Sequence, residues 1–538
     1  MNQKKLNNKD YDAIIVGAGF SGLYQLICLR DQLNLNCVVL ETGDDVGGTW
    51  YWNRYPGARC DTESHAYSYY FSDELLKEWT WSERYPGHAE IRRYMNFVAN
   101  KFNLKKDILF QQKVTSATFN NNEKKWKVVS NEKIEFNAKF LISAVGCLSN
   151  ANIPNIQGLE NFEGNYYHTG NWPKNGVSFV GKNVGQIGTG STGIQAVPVI
   201  AEEAKYLTVF QRTANYSIPA RNKLLTSEFK KHVKENSNIY KKLVKRTPNA
   251  HPFEIRNRKV SDVDQDELNE IYEKAWKIGG LQFRAVFNDL ITNIDANKTA
   301  SDFIKKKIRE TVSNKKFASI LSDIDHPYAG KRPPIDSNYF ETFNRDNINL
   351  VDLRSDPIEK IDKTGIKTKN NHFELDIIVF ATGYDAMTGP LLNMNITGKN
   401  NLKLKDAWKE GPKTFLGLQV PGFPNLFTIT GPGSPSVLTN MPMAIEQHVE
   451  WIRDCIKFMN KKDYSTIEAN TNSAEKWGAE VNSVANKTLL PTVKHSWYLG
   501  ANIPGKPRVF MPYAGGLPRY TEVCDNIKNN NYKEFNLN

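Results

Sequence analysis

Two glycine clusters have spacings that can do chemistry. Gly17-x-Gly19-x-x-Gly22 and Gly188-x-Gly190-x-x-Gly193 let a chain turn tightly, bring its backbone against a pyrophosphate and pack the next helix closely on the preceding strand. The N–H groups and dipole at that helix N-terminus then hold the anion. Nineteen positions after Gly22 stands Glu41, and nineteen after Gly193 stands Arg212. A carboxylate there accepts from the hydroxyls of an adenosine ribose and repels a 2′-phosphate, whereas a guanidinium clamps that phosphate with paired charge-assisted bonds. The first loop therefore suits FAD. The second, with Thr189, Ser191 and Thr192 in its turn and Thr213 beside Arg212, suits NADPH better than NADH. In a chain with 35 glycines, chance supplies roughly 0.15 such motifs, so one alone is weak and a pair in the same context is informative.

The context is the same twice. Ala13-Ile14-Ile15-Val16 is a short, wholly apolar, β-branched run of the kind buried in a parallel sheet. It leads into the first loop, then into a stretch with Leu23, Leu26, Ile27 and Leu33 at helical spacing, and then into Asn36–Glu41, a second strand. Downstream, Lys182–Ile187, the second loop, a helix through Ile194, Val197 and Ile200, and Tyr206–Phe210 repeat the order. Two further strands, Phe140–Ser143 and Asp376–Phe380, run toward Gly146 and Gly383, where close backbone packing is expected. Residues 221–331 are Lys/Asn/Glu-rich with amphipathic periodicity and read as a mainly helical insertion. The expected fold is α/β, with two Rossmann-like dinucleotide-binding domains: 1–146 and 384–538 for FAD, and 147–220 and 332–383, with interdomain linkers, for NADPH.

Composition limits the alternatives. The 538 residues suffice for three or four folding units at roughly 150 residues each, and 40% hydrophobic with 24% charged residues is ordinary globular usage. The net charge of +12 attracts anions, but the lysines are interspersed with acids rather than gathered with stacking aromatics, so a nucleic-acid partner is not expected. Six scattered cysteines offer neither a CxxC dithiol nor metal-ligand spacing, which argues against a flavin disulfide reductase and against a metal. A mean hydropathy of −0.53, no apolar run of about 18 residues and a polar Met1–Asp10 segment lead to the expectation of a cytoplasmic protein without a membrane span.

Between the two loops, Phe162-x-Gly164-x-x-x-His168-x-x-x-Trp172-Pro173 fits FxGxxxHxxxWP, and Gly47-Gly48-Thr49-Trp50 through Tyr55-Pro56-Gly57 to Asp61 fits a second pattern of the same proteins. On these motifs the chain resembles the flavin-dependent Baeyer–Villiger monooxygenases over nearly its whole length. Within that family, Gly431–Met441 resembles the loop of the phenylacetone-oxidising branch more than the shorter loop of the cyclohexanone branch. The resemblance implies that NADPH reduces FAD, that dioxygen forms a flavin peroxide, and that the peroxide attacks a ketone to give an ester or lactone, with sulfide oxidation as a side activity.

The resemblance also assigns roles. Arg332 is the cation for the oxyanions of the reaction, Asp61 its acid partner, and Lys331 an aid to Arg212 and Thr213 at the 2′-phosphate. Thr49 and Trp50 line the flavin, with Tyr67 nearby, and Trp497 reaches the nicotinamide ribose. An arginine does not deprotonate at working pH, so Arg332 is a stabiliser rather than a base. His168 is read as a structural residue of the interdomain linker, locked with Trp172 and Pro173 by packing and restricted φ. The nearest rival is a flavin monooxygenase acting on nitrogen or sulfur, whose related motif ends without Trp-Pro. Linear, cyclic, aryl and steroid-like ketones are all compatible, and no residue pattern specifies an oligomeric state.

Overall fold

A computed structural model describes residues 10–538, so the Met1–Lys9 part of the polar leader lies outside the described residues. The first half of the chain begins with strands β1 (Asp10–Val16), β2 (Cys37–Leu40), β3 (Ile108–Leu109), β4 (Val114–Asn120), β5 (Lys125–Ser130) and β6 (Glu135–Ser143). Next come β7 (Asn165–His168), β8 (Asn183–Ile187), β9 (Tyr206–Gln211) and the short β10 (Ile218–Pro219). After a helical stretch follow β11 (Ile335–Asp336), β12 (Ile348–Asp352), β13 (Ile358–Ile361), β14 (Gly365–Thr368), β15 (His372–Glu374), β16 (Ile377–Phe380), β17 (Ile396–Thr397) and β18 (Leu426–Thr428).

These strands build two main sheets. The first runs β17-β4-β5-β6-β1-β2-β3, with β18 also on β6. Its β1 lies parallel to both β2 and β6, pairing Ile14 with Val38 and with Leu141. Late strand β18 adds parallel to β6, Phe427 opposite Ile142, so the C-terminal part of the chain completes the sheet that the N-terminal part starts. The second sheet, β12-β9-β8-β16-β7, is parallel throughout. Its central strands are largely buried, and β16 reads as an unbroken apolar run for that reason, whereas Asn183 and Gln186 interrupt β8 and Thr208 and Gln211 interrupt β9.

The insertion is helical: Ser227–Glu235, Ser237–Arg246, Gln265–Ile278, Ile294–Thr311 and Lys315–Ser322. It belongs to neither sheet alone. Val244 and Ala250 join the core of the first sheet, while Leu268, Tyr272, Ala300 and Ile304 join the core of the second.

Two expectations change. Gly146 and Gly383 adopt φ of +71° and +79°, yet a methyl group on either would meet nothing within 4 Å. They serve to turn the chain through the left-handed region at strand ends, not to admit close packing. The segment 162–173 is likewise not a free linker: Asn165–His168 is the edge strand β7 of the second sheet, paired with β16 from Ile377 to Phe380. Among the described residues no helix is long and apolar enough to cross a membrane.

Candidate active site

Each glycine loop sits between a strand and a helix, and each closes on itself in the same way. Gly17 has φ +105° and Gly188 φ +109°. A methyl on Gly22 would stand 1.8 Å from the Gly17 carbonyl oxygen, and one on Gly193 would stand 2.3 Å from that of Gly188. The Phe20–Ile27 and Ser191–Glu203 helices start right after Gly19 and Gly190. Their first N–H groups are left for an anion.

At the first loop the Glu41 side chain is 4% exposed. Its Oε2 accepts from the Ala18 N–H at 2.6 Å and its Oε1 from the Gly43 N–H at 2.7 Å. Burial pushes the carboxyl up, and the backbone N–H groups of Gly43, Ala18 and Thr42 pull it back. A carboxylate has about four lone-pair sites, so acceptors remain for ribose hydroxyls. The Gly47–Trp50 turn lies against the loop: a methyl on Gly19 would be 3.3 Å from Gly48 Cα. Beyond it, Trp50 Nε1 donates to the Tyr67 hydroxyl at 3.0 Å, and burial pushes that phenol far up, so it stays protonated. Thr49, Trp50 and Tyr67 therefore form one side of the first loop's surroundings.

At the second loop, Thr189 Oγ1 donates to the Thr213 carbonyl at 2.9 Å, tying the turn to the strand end that carries Arg212. Arg212 and Ser191 are exposed, and Thr192 and Thr213 are half-buried. Lys331, brought from more than a hundred positions away, is held below the usual lysine range first by burial and then by the like charge of Arg212, with Asp325 opposing. Two cations close enough to repel each other make a place for a dianion. Tyr55 Oη donates to Gln195 Oε1 at 2.8 Å, and Gln195 Nε2 donates to the Arg59 carbonyl at 3.1 Å. These bonds join the segment leading to Asp61 to the helix of the second loop.

Arg332 and Asp61, 271 positions apart, form a bidentate pair: Nε to Oδ2 at 2.5 Å and Nη2 to Oδ1 at 2.7 Å. Nη1 donates to the Val437 carbonyl at 2.7 Å, so the 431–441 loop is the third support of the guanidinium. Pairing of Ile218 with Ile335 and Pro219 with Asp336 anchors the turn that carries Lys331 and Arg332. Burial alone would raise Asp61, but the charge and hydrogen bonds of Arg332 win and hold it below the ordinary carboxylate range. The same pairing outweighs burial at Arg332 and raises its pKa further. The pair is ionised throughout the working range, and of the five guanidinium N–H groups two go to Asp61 and one to Val437, which leaves two.

A cavity of about 150 Å³ opens beside this pair. Its polar lining includes Arg332, Lys331, Arg284, His251, Asn249 and Tyr498, with the hydroxyls of Thr247, Thr439, Thr488 and Tyr513. Burial, then the Arg332 and Arg284 charges, push the His251 imidazole down to about 3, so it is neutral. Sequence reading missed His251, Arg284 and Tyr498, which belong to no motif. Trp497 is half-buried with its ring on Tyr498, centroids 4.5 Å apart, and the neighbouring Tyr498 is the one that faces the cavity.

The fingerprint residues lie elsewhere. His168, 4% exposed, accepts from the Gly170 N–H through Nδ1 at 3.0 Å and sits beside the backbone of Gly383 and Asn152. Trp172 packs between Tyr167 and Phe179, with Pro173 following it. Phe162 joins Ile187 and Phe210 in a separate core, and Gly164 admits the Asp376 carbonyl, 2.5 Å from where a methyl would stand. Among the described residues no group of three His, Cys, Asp or Glu could hold a metal.

Residues 11–242 match the model of the flavin-binding monooxygenase-like family. Over 534 residues the chain is 43% identical to cyclohexanone 1,2-monooxygenase of an Acinetobacter species, covering 98% of this chain and 97% of the relative. It is 40% identical to a Baeyer–Villiger monooxygenase of Pseudooceanicola batsensis, covering 97% and 95%. A crystal structure of OTEMO in complex with FAD and NADP superposes with a TM-score of 0.94 at 39% identity, covering 98% of this chain and 99% of that one. The likeness of the 431–441 loop to the phenylacetone branch concerns that loop alone.

Proposed function

Because the chain belongs to the Baeyer–Villiger monooxygenases, a group of flavin-binding monooxygenases, we propose that its cavity converts a ketone to an ester or lactone, using NADPH and dioxygen and releasing NADP and water. FAD and NADPH are its cofactors, and when bound they supply the electrons and the activated oxygen.

The chain's own residues do four things. The Gly17–Gly22 loop and Glu41 hold FAD through pyrophosphate and ribose, with Thr49, Trp50 and Tyr67 beside the ring system. The second loop with Thr189, Ser191, Thr192, Arg212, Thr213 and Lys331 holds NADPH by its pyrophosphate and 2′-phosphate. Arg332 stabilises the negative charge that develops on the ketone oxygen when its carbon is attacked, and Asp61 with the Val437 carbonyl fixes the direction of that cation. His168, Phe162, Gly164, Trp172 and Pro173 position the second sheet against the first, and they donate no proton to the reaction.

The observation that carries this reading is the bidentate Arg332–Asp61 pair at the wall of the cavity that Lys331 also lines. A fixed, always-charged group in a partly buried site stabilises an oxyanion without reorganising. Arg332→Ala should leave FAD bound and reducible by NADPH while ester formation falls by about 100- to 1,000-fold. Ester formation at the wild-type rate in that variant would remove Arg332 from the chemistry. Product analysis with a ketone and an amine side by side separates ester formation from N-oxidation.

A further inference from the structure

Three cations line the cavity, and no Asp or Glu does. Two have an acidic counter-charge already: Arg332 is paired with Asp61, and Lys331 is under the field of Asp325. Arg284 has none. Among the described residues it forms no ion pair, and its one hydrogen-bond partner is neutral, the Asn249 side-chain oxygen. That amide is pinned, because Asn249 Nδ2 donates to the Leu438 carbonyl at 2.6 Å. A planar guanidinium with five donors is thus held at the wall of a site with most of those donors unspent. A cation taken from water normally demands an anion, and burial together with the like charge of Arg332 already weighs against the charged form of Arg284. The lining also carries an apolar set, Pro248, Leu281, Ile291, Leu438 and Leu490, beside neutral polar groups that include Thr247, Thr439, Thr488 and Tyr513.

We infer that Arg284 recognises a carboxylate on the substrate, so that the preferred ketones of this enzyme are oxo acids with a hydrocarbon body. This rests on the Baeyer–Villiger reading of the same cavity. Arg284 holds the carboxylate by paired charge-assisted bonds, the apolar wall covers the carbon skeleton, and the carbonyl is left to Arg332.

The test compares 4-oxocyclohexanecarboxylate with 4-methylcyclohexanone. Wild-type enzyme should favour the carboxylate in kcat/KM by at least about tenfold, and Arg284→Met should lower that ratio by about 100-fold, as expected when one partner of a desolvated charge pair is removed. Arg284→Lys should keep most of the preference. A second readout needs no turnover: cyclohexanecarboxylate should perturb the flavin absorbance of FAD-loaded wild-type protein at least about tenfold more tightly than cyclohexanecarboxamide does, and Arg284→Met should abolish the difference. Equal affinity of wild type for acid and amide overturns the proposal. So does an equal fall with both ketones in Arg284→Met, or a rise in KM for NADPH as its sole effect. If neither ketone gives an ester while the acid still binds through Arg284, the reaction reading fails and the carboxylate site stands.

Discussion

The two glycine loops are built alike and finish differently. In each, the first glycine takes a left-handed φ, and the third lies so close beneath the first carbonyl that a side chain is excluded. The steric closure of the turn is thus the same in both loops. The strand ends are opposites: Glu41 is buried with both oxygens held by backbone N–H groups, whereas Arg212 is exposed and finds its companion cation, Lys331, on a distant turn. On the function proposed above, the loop recognises a dinucleotide as such, and the residue at the tip of the next strand chooses which one. A buried, prepaid carboxylate suits a cofactor that stays. An open pair of cations suits one that arrives and leaves each turnover.

The largest effect should come from breaking the shared part. Gly22→Ala drives a methyl into the Gly17 carbonyl, a backbone atom that cannot move away cheaply. The cost should be about 3 kcal/mol, paid as lost folding or lost flavin, and the ratio of flavin to protein absorbance reads it directly. Gly190→Ala, at the second glycine of the other loop, is the contrasting case, since a methyl there meets nothing within 4 Å. It should give normally yellow protein whose defect is confined to NADPH binding, because the second glycine of the motif serves the approach of the pyrophosphate. A fully flavinated Gly22→Ala protein would break the equivalence of the loops.

How much of this was legible beforehand follows from the physics of each feature. Strands β2 and β16 are short and fully buried, so their sequences are unbroken apolar runs, as is Ala13–Val16 within β1, whereas β8 and β9 contain polar residues and were legible from their place around the second glycine loop. The glycine loops were legible because sterics permit no other residue at their closest points. The Arg332–Asp61 pair was legible through a family pattern alone, since nothing local links two residues 271 positions apart. Gly146 and Gly383 were misread: a glycine after a strand serves tight packing or positive φ, and a sequence does not distinguish them. The 162–173 segment was taken for a linker because Asn165–His168 is an edge strand with exposed polar positions, lacking the apolar run of a central one. Arg284 and His251 were invisible because neither belongs to a motif; Arg284 stands in the largely apolar run Leu281–Phe287, which marks burial without saying that the guanidinium reaches a cavity.

The next effect sharpens the difference at the strand ends. Arg212→Ala should raise KM for NADPH by about 100-fold and change KM for NADH by no more than about twofold, because only NADPH carries the phosphate that the guanidinium would clamp. Equal changes for both coenzymes would mean that Arg212 shapes the loop instead of reading the phosphate.

The smallest effect is the pH dependence of the same site, and its sign follows from Lys331. Burial and the Arg212 charge hold its pKa below the usual lysine range, so with rising pH it loses its proton before an ordinary lysine would. Below that pKa three hydrogen-bond donors and a charge face the phosphate; above it the charge is gone. KM for NADPH should therefore bend upward, by about tenfold, at a pH below that expected of a free lysine, while KM for NADH stays flat. Unfolding does not account for such a bend. Between the depressed folded pKa and the ordinary unfolded one, the unfolded chain binds more protons at this residue, so stability rises with pH across that window. Lys331→Arg, always charged, should keep NADPH binding level through the same range, and a bend that survives this substitution would assign the titration to another group.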